Sequence, residues 1–166
     1  MSMVNARNLG FPRMGKHREL KFALEKYWSG EATDERLLAT AQTLRKEHWQ
    51  LQVEAGIGIP PSNDFSLYDH VLDIAVTLGA VPRRFNCPSG AVNLRTYFAM
   101  ARGSNQAAAL EMTKWVDTNY HYVVPEFEVD MHYELRSNKA VGEYLEAKAL
   151  GISTRPVILG VSHLSC

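Results

Sequence analysis

The chain is poor in the features that usually mark a function. It has two cysteines in 166 residues, Cys87 and Cys166. That count suits a reducing compartment, with the cytoplasm as the default, and both thiols read as inert. There is no excess charge of either sign, since 18 Lys and Arg stand against 18 Asp and Glu. A nucleic-acid binder normally carries a basic surplus, so that class of partner is set aside. No apolar run is long enough to cross a bilayer, and the N-terminus lacks the charged-then-apolar layout of a signal peptide. There is no nucleophile elbow, phosphate loop or GxGxxG fingerprint, and no internal repeat or low-complexity tract. What remains is an ordinary globular composition, 46% apolar and 22% charged, long enough for one domain with a real core.

Punctuation by Gly and Pro divides the chain into short elements. Asn8-Leu9-Gly10-Phe11 reads as a strand closed by Pro12. Leu20, Ala23, Leu24, Tyr27 and Trp28 follow helical spacing up to Gly30. Thr33 is an N-cap, and Leu37, Ala41, Leu44, His48, Leu51 and Ala55 draw the stripe of one long helix ended by Gly56. Ile57 to Ile59 reads as a strand closed by Pro60-Pro61. Ser66 and Asp69 resemble a capping box opening a helix with Leu67, Val71, Leu72, Ala75 and Leu78 on one side. Residues 80–92 read as a loop. A short helix over Leu94, Tyr97, Phe98 and Ala101 ends at Gly103. Residues 104–118 stay open between helix and extended chain. Tyr120 to Val124 and Met131 to Leu135 read as strands, Ala140 to Leu150 as a helix, and Pro156 to Gly160 as a strand. This alternation predicts an α/β architecture with a parallel sheet. Its four good strand slots suit an open sheet or half of a (β/α)₈ barrel, which takes about 250 residues when complete.

Positive charge concentrates on one turn that runs into a helix, Arg13-Met14-Gly15-Lys16-His17-Arg18-Glu19-Leu20-Lys21. Helical spacing puts Arg18 and Lys21 on one face. A helix N-terminus with cations beside it is a candidate carboxylate or phosphate site. From composition alone the plainer reading, a solvated helix start, carries more weight. Lys114, beside Trp115, can lay its stem on the ring or reach a ligand at a strand end. His121, Glu126 and His132 match no common metal-ligand spacing. Asp69-His70 suits a solvated or supporting role rather than catalysis. Trp115, Tyr120, Tyr122 and Phe127 suit core packing better than stacking on a planar ligand.

Several of these stretches together resemble the cobalamin-independent methionine synthase family. They are Leu9-Gly10-Phe11-Pro12-Arg13, Arg18-Glu19-Leu20-Lys21, Tyr27-Trp28-Ser29-Gly30, Asn63 through Asp73, Glu111 through Tyr122, and Glu143 through Lys148. The likeness runs from about Leu9 to Gly160. It implies the first half of the family's N-terminal (β/α)₈ barrel, with residues 1–166 as a single partial domain. The activity it implies is transfer of a methyl group from 5-methyltetrahydropteroyltri-L-glutamate to homocysteine, giving methionine without cobalamin. It also implies that Arg18, Glu19, Leu20, Lys21 and Lys114 contact the folate polyglutamate, with Asn119 nearby. A string of carboxylates is the ligand a basic turn should prefer, so the resemblance makes the anion site the favoured reading.

The same resemblance marks what to expect missing. The family's zinc site uses His, Cys and Glu ligands of a second barrel, so no zinc site and no catalytic residue are expected in this chain. Without zinc the homocysteine thiol stays largely protonated, and no turnover is expected of the chain alone. After Gly160 the sequence Val161-Ser162-His163-Leu164-Ser165-Cys166 departs from the family pattern, as a truncation would. The alternative expectation is a non-catalytic fragment with no specific ligand, self-associating through open sheet edges. The oligomeric state is not assigned by the sequence.

Overall fold

Caps and apolar spacing fix the helices. The computed structural model describes residues 6–87 and 89–160. The helices are α1 (Glu19–Trp28), α2 (Asp34–Glu54), α3 (His70–Thr77), α4 (Leu94–Arg102) and α5 (Lys139–Ala149). Four short strands accompany them: β1 (Pro61–Ser62), β2 (Met112–Lys114), β3 (His121–Val123) and β4 (Arg155–Pro156). The result is a mixed α/β chain. The divergent end from Val161 to Cys166 lies outside the described residues.

The chain divides into two compact units. The first holds the described residues up to Leu67 together with 140–158. Here α1 packs on α2, and β1 pairs in parallel with β4, Pro61 opposite Arg155 and Ser62 opposite Pro156. Leu20 and Leu24 of α1 meet a core that includes Leu37, Ala41, Leu44 and Trp49 of α2. Thr33 caps α2 by accepting from the Arg36 N–H. The buried stripe of α2 leaves the predicted track after Leu44: Trp49 and Gln52 are buried, while Leu51 and Ala55 are exposed. The reason is polar: the Trp49 indole N–H donates to the Pro61 carbonyl at 2.9 Å, and Gln52 accepts from the Asn8 amide at 2.9 Å. Arg45 of α2 grips Glu146 of α5 at 2.7 Å, with both side chains mostly buried.

Two predicted strands of this unit are absent. At the end of α2 the Ile57 N–H reaches back to the Gln52 carbonyl and Gly56 takes φ 89°. That is the Schellman closure of a helix, and it uses the backbone that a strand over Ile57 to Ile59 would need. The strand falls later, at Pro61–Ser62. Asn8 to Phe11 bends at Leu9 and joins no strand ladder, and side chains take its bonds. The Phe11 N–H donates to Asp64 at 2.8 Å, and the Asn8 carbonyl accepts from Arg155 at 3.3 Å.

The second unit holds residues 68–139 and 159–160 of the described chain. Here β2 and β3 form an antiparallel hairpin, Met112 opposite Val123 and Lys114 opposite His121. A turn this short permits only antiparallel pairing, so the predicted parallel arrangement does not extend to this pair. β2 lies in the stretch that the sequence left open. Met131 to Leu135 is not a strand. The Glu134 and Arg136 N–H groups instead donate to the Leu78 and Thr77 carbonyls, satisfying the C-terminal end of α3.

α3 begins at His70, later than the capping-box reading places it, and Asp69 is itself the N-cap. One Asp69 oxygen accepts from the Val71 and Leu72 N–H groups at 2.8 and 3.1 Å, and the other from the Val123 N–H at 3.2 Å. Asp69 is only 2% exposed, so of the two roles expected of it, solvated or supporting, the solvated one falls away. Burial pushes its carboxyl from the usual 3.8 up to about 6, against the pull of these three N–H groups, with a small further push from Asp73. A folded-state pKa above the unfolded one means the folded chain holds the extra proton between those values. The associated stability is complete below about pH 4 and is lost as the pH rises through about 6, at most about 3 kcal/mol. Urea unfolding of wild type and Asp69→Asn at pH 4 to 7 should show the wild type losing stability relative to the variant across that window. A constant difference at every pH contradicts this.

Candidate functional site

The basic turn belongs to the first unit, and its geometry follows from Gly15 and Glu19. Gly15 takes φ 81°, a conformation that costs glycine little. The Arg18 N–H closes on the Gly15 carbonyl, and the Leu20 N–H on the Met14 carbonyl. Arg18 is the N-cap of α1 with φ 64°, and its side chain makes no capping bond. Glu19 folds back, and its carboxylate accepts from the His17 N–H at 2.9 Å. Bonds to its own N–H and to that of His17 hold the Glu19 carboxyl below the usual carboxylate range, and the nearby His17 and His48 rings add a smaller pull. The start of α1 is therefore already engaged by an internal anion and by the Met14 carbonyl. What the turn offers a ligand is its side-chain cations rather than an open set of helix N–H groups.

The basic side chains differ in their freedom. Lys16, His17 and Arg18 are exposed. Lys21 lies 3.6 Å from Glu25 one helical turn on, with both side chains about half exposed. With the lysine N-terminal to the glutamate, this is the weaker order for such a pair, so a ligand carboxylate can displace Glu25 at little cost. Arg13 is engaged elsewhere, donating to the Ser66 carbonyl at 2.9 Å. Leu20 has no exposed surface, so its side chain serves the core.

Lys114 belongs to the second unit, at the end of β2, where all three residues are exposed. Its neighbour Trp115 packs edge-on to Tyr122 at 5.4 Å, and Tyr122 is buried against Val71. Trp115 and Tyr122 thus take the packing role expected of them, whereas Tyr120 and Phe127 are about half exposed, Phe127 lying edge-on to Tyr133 at 6.2 Å. The turn between the strands is closed by the Trp115 N–H on the Tyr120 carbonyl and by the Thr118 hydroxyl on the Trp115 carbonyl. Val116 takes φ 51° in that turn and is 84% exposed. A β-branched residue in this region is strained by about 1–3 kcal/mol. Asn119 is exposed in the same turn, its carbonyl 3.2 Å from the His121 ring.

The sequence did not disclose a cavity of about 360 Å³ in the second unit, lined by Arg83, Asn86, Cys87, Glu128, His132 and Arg136 among others. Arg136 donates to the Cys87 carbonyl at 2.6 Å, and Arg83 pairs with Glu128 at 3.5 Å. Both guanidinium groups are engaged by the protein, so the cavity is not an open anion site. The one available signal was the charged or polar side chain at every second position from Glu128 to Arg136, an alternation that reads as a strand rather than as the lining of a cavity.

Among the described residues, no three His, Cys, Asp or Glu side chains gather as metal ligands. Glu126 is bound instead by the Arg84 guanidinium, whose second nitrogen stands 2.8 Å from the carboxylate. The described residues therefore do not fit the zinc that the resemblance attaches to the longer family members. No described helix is long and apolar enough to cross a membrane.

The turn generates one prediction. A Cβ added at Gly15 would come within 2.2 Å of the Glu19 carboxylate and 2.8 Å of the buried Leu44 side chain. Gly15→Ala should destabilise the chain by about 1–3 kcal/mol through backbone strain and overpacking. An unchanged urea midpoint would show that the turn is not built as described.

The family described as cobalamin-independent synthase, N-terminal domain, matches residues 5–165. A protein of Chelativorans sp. (strain BNC1) is 56% identical over 173 residues, covering 96% of this chain and 22% of its own length. One from Xylella fastidiosa (strain M23) is 56% identical over 162 residues, covering 95% and 21%. One from Salinibacter ruber (strain DSM 13855 / M31) is 53% identical over 167 residues, covering 95% and 22%. All three are named 5-methyltetrahydropteroyltriglutamate–homocysteine methyltransferase. The chain spans about a fifth of the length of these relatives. On a match over nearly its whole length, the chain belongs to the cobalamin-independent synthase family and corresponds to that family's N-terminal domain.

Proposed function

We propose that this chain supplies part of the surface that holds the glutamate tail of 5-methyltetrahydropteroyltri-L-glutamate while its methyl group passes to homocysteine. The observation that carries the reading is the turn into α1. Lys16 and Arg18 are exposed, Lys21 is half-exposed beside Glu25, and the turn's one acid, Glu19, is engaged by backbone N–H groups. Each residue then has a role. Arg18 meets a glutamate carboxylate with its guanidinium fork, and Lys21 exchanges Glu25 for another. Glu19 shapes the turn, and Leu20 anchors it in the core. Lys114, in the second unit, is a further cation for the same class of ligand.

The relatives' names support this ligand, since a pteroyltriglutamate is a chain of carboxylates. The parallel pairing of β1 with β4 and the adjoining helices support, as the finer fold, the opening half of a (β/α)₈ barrel. Methyl transfer itself, and the zinc that would activate the homocysteine thiol, belong in this reading to the remaining length of the family's proteins. We assign the work to the cytoplasm on the biosynthetic character of the reaction.

Calorimetry of the chain with 5-methyltetrahydropteroyltriglutamate tests the proposal. Wild type should release binding heat. Arg18→Ala combined with Lys114→Ala should remove it, each lost charge-assisted bond being worth about 1.5–3 kcal/mol. Heat that survives the double substitution refutes the assignment. Absence of heat from wild type, together with sedimentation at twice the 18.7 kDa chain mass, favours a self-associating fragment without this ligand.

A further inference from the structure

We propose that Asp69 is the positioning residue of the hairpin that carries Lys114: its carboxylate ties β3 to the first turn of α3 and so fixes where the Lys114 ammonium stands. This rests on reading Lys114 as a contact for glutamate carboxylates.

The hairpin has no third strand to hold it among the described residues. Its two strands pair only with each other among the described residues, and two-stranded hairpins are marginal on their own in water. β2 is exposed at every position and gives no residue to the core. The turn that closes it strains Val116. Only β3 reaches inward, through Tyr122 against Val71 and through the buried Val123. The Val123 N–H is the group that Asp69 holds.

The two oxygens of Asp69 divide the work. One satisfies the Val71 and Leu72 N–H groups and caps α3, while the other crosses to β3. Val71 is thus fixed to Asp69 through its N–H and to Tyr122 through its side chain. Lys114 stands two residues along the ladder from the Met112–Val123 pair, about 7 Å from the point of attachment. Apart from its pairing with β3, β2 is held by the Tyr68 hydroxyl on the Met112 sulfur at 3.7 Å and by Trp115 packed beside Tyr122, so release of Val123 loosens the segment that orients Lys114. The cap alone needs one oxygen; the second reaches the strand only because the residue is a carboxylate of this length.

Asp69→Ser separates the two functions, since serine retains an N-cap oxygen but is too short to reach Val123. The whole chain is measured in two ways. In amide hydrogen exchange, the variant should lose protection at Tyr122 and Val123 while α3 and α4 keep theirs. In calorimetry with 5-methyltetrahydropteroyltriglutamate, Asp69→Ser should weaken binding about tenfold, and the loss should vanish in a Lys114→Ala background because the two residues act as a unit. Asn93→Ala, which removes the cap of α4 in the same unit, controls for general destabilisation and should leave affinity unchanged. Unaltered protection of β3 in Asp69→Ser overturns the proposal, as does an equal loss of affinity in both backgrounds. If Lys114→Ala binds as wild type does, the reading of Lys114 as a ligand contact fails and the functional half of the proposal falls with it. The exchange result then decides whether Asp69 still holds the hairpin. If Asp69→Ser does not fold, Asp69→Asn, which turns an amide donor toward one of the N–H groups, replaces it with the same expected outcomes.

Discussion

Carboxylate oxygens that accept backbone N–H groups hold this chain together where regular ladders do not. Asp64 takes the Phe11 N–H, Glu143 the Asn63 N–H and Glu19 the His17 N–H. Asp69 takes three N–H groups at once. The strands are two or three residues long, so most extended backbone has no strand partner to bond with. A buried N–H without an acceptor costs about 1–3 kcal/mol, and an ionised acceptor makes one of the stronger available bonds. Acidic side chains therefore do in this chain what neighbouring strands do in a longer sheet.

The same constraint explains how a chain of zero net charge carries one basic turn. Acids and bases are equal in number, but several acids are turned inward or onto backbone. Asp69 and Glu143 are among the buried charged residues. At the turn into α1 the only acid folds back on the backbone while Lys16, His17 and Arg18 remain exposed. A count of charges misses this, because it does not distinguish an acid facing water from one accepting a bond from its own main chain. It also changes how the turn can recognise an anion. Glu19 and the Met14 carbonyl engage the first helical positions, so the turn presents guanidinium and ammonium groups to the solvent rather than helix N–H groups.

This division also sets what could be read from sequence. The helices were legible because their signals are local: Thr33 caps α2, Leu20 and Leu24 face the core from α1, and glycines close several ends. Strands were legible only in part. His121–Val123 announced itself through β-branched and aromatic residues, but Met112–Lys114 has no such pattern because all of it is exposed. Ile57 to Ile59 carries a strand-like composition that the closure of α2 overrides, and Met131 to Leu135 is drawn off to satisfy the end of α3. The basic turn was legible as composition, and the family resemblance as ordered blocks. The internal role of Glu19, the burial of Asp69 and the bridge from Asp69 to Val123 were not, because they depend on contacts between 2 and 54 residues apart that no local period encodes.

Lys16 and Arg18 face outward without an acidic partner of their own turn because Glu19 binds the main chain. The most direct measurement is the affinity of the chain for 5-methyltetrahydrofolate bearing one glutamate and bearing three, each at low and at high salt. If the exposed turn reads a string of carboxylates, the triglutamate binds more tightly at low salt and the advantage shrinks as salt screens exposed charges. Equal affinities for the two ligands, or a triglutamate preference that salt does not alter, would contradict it.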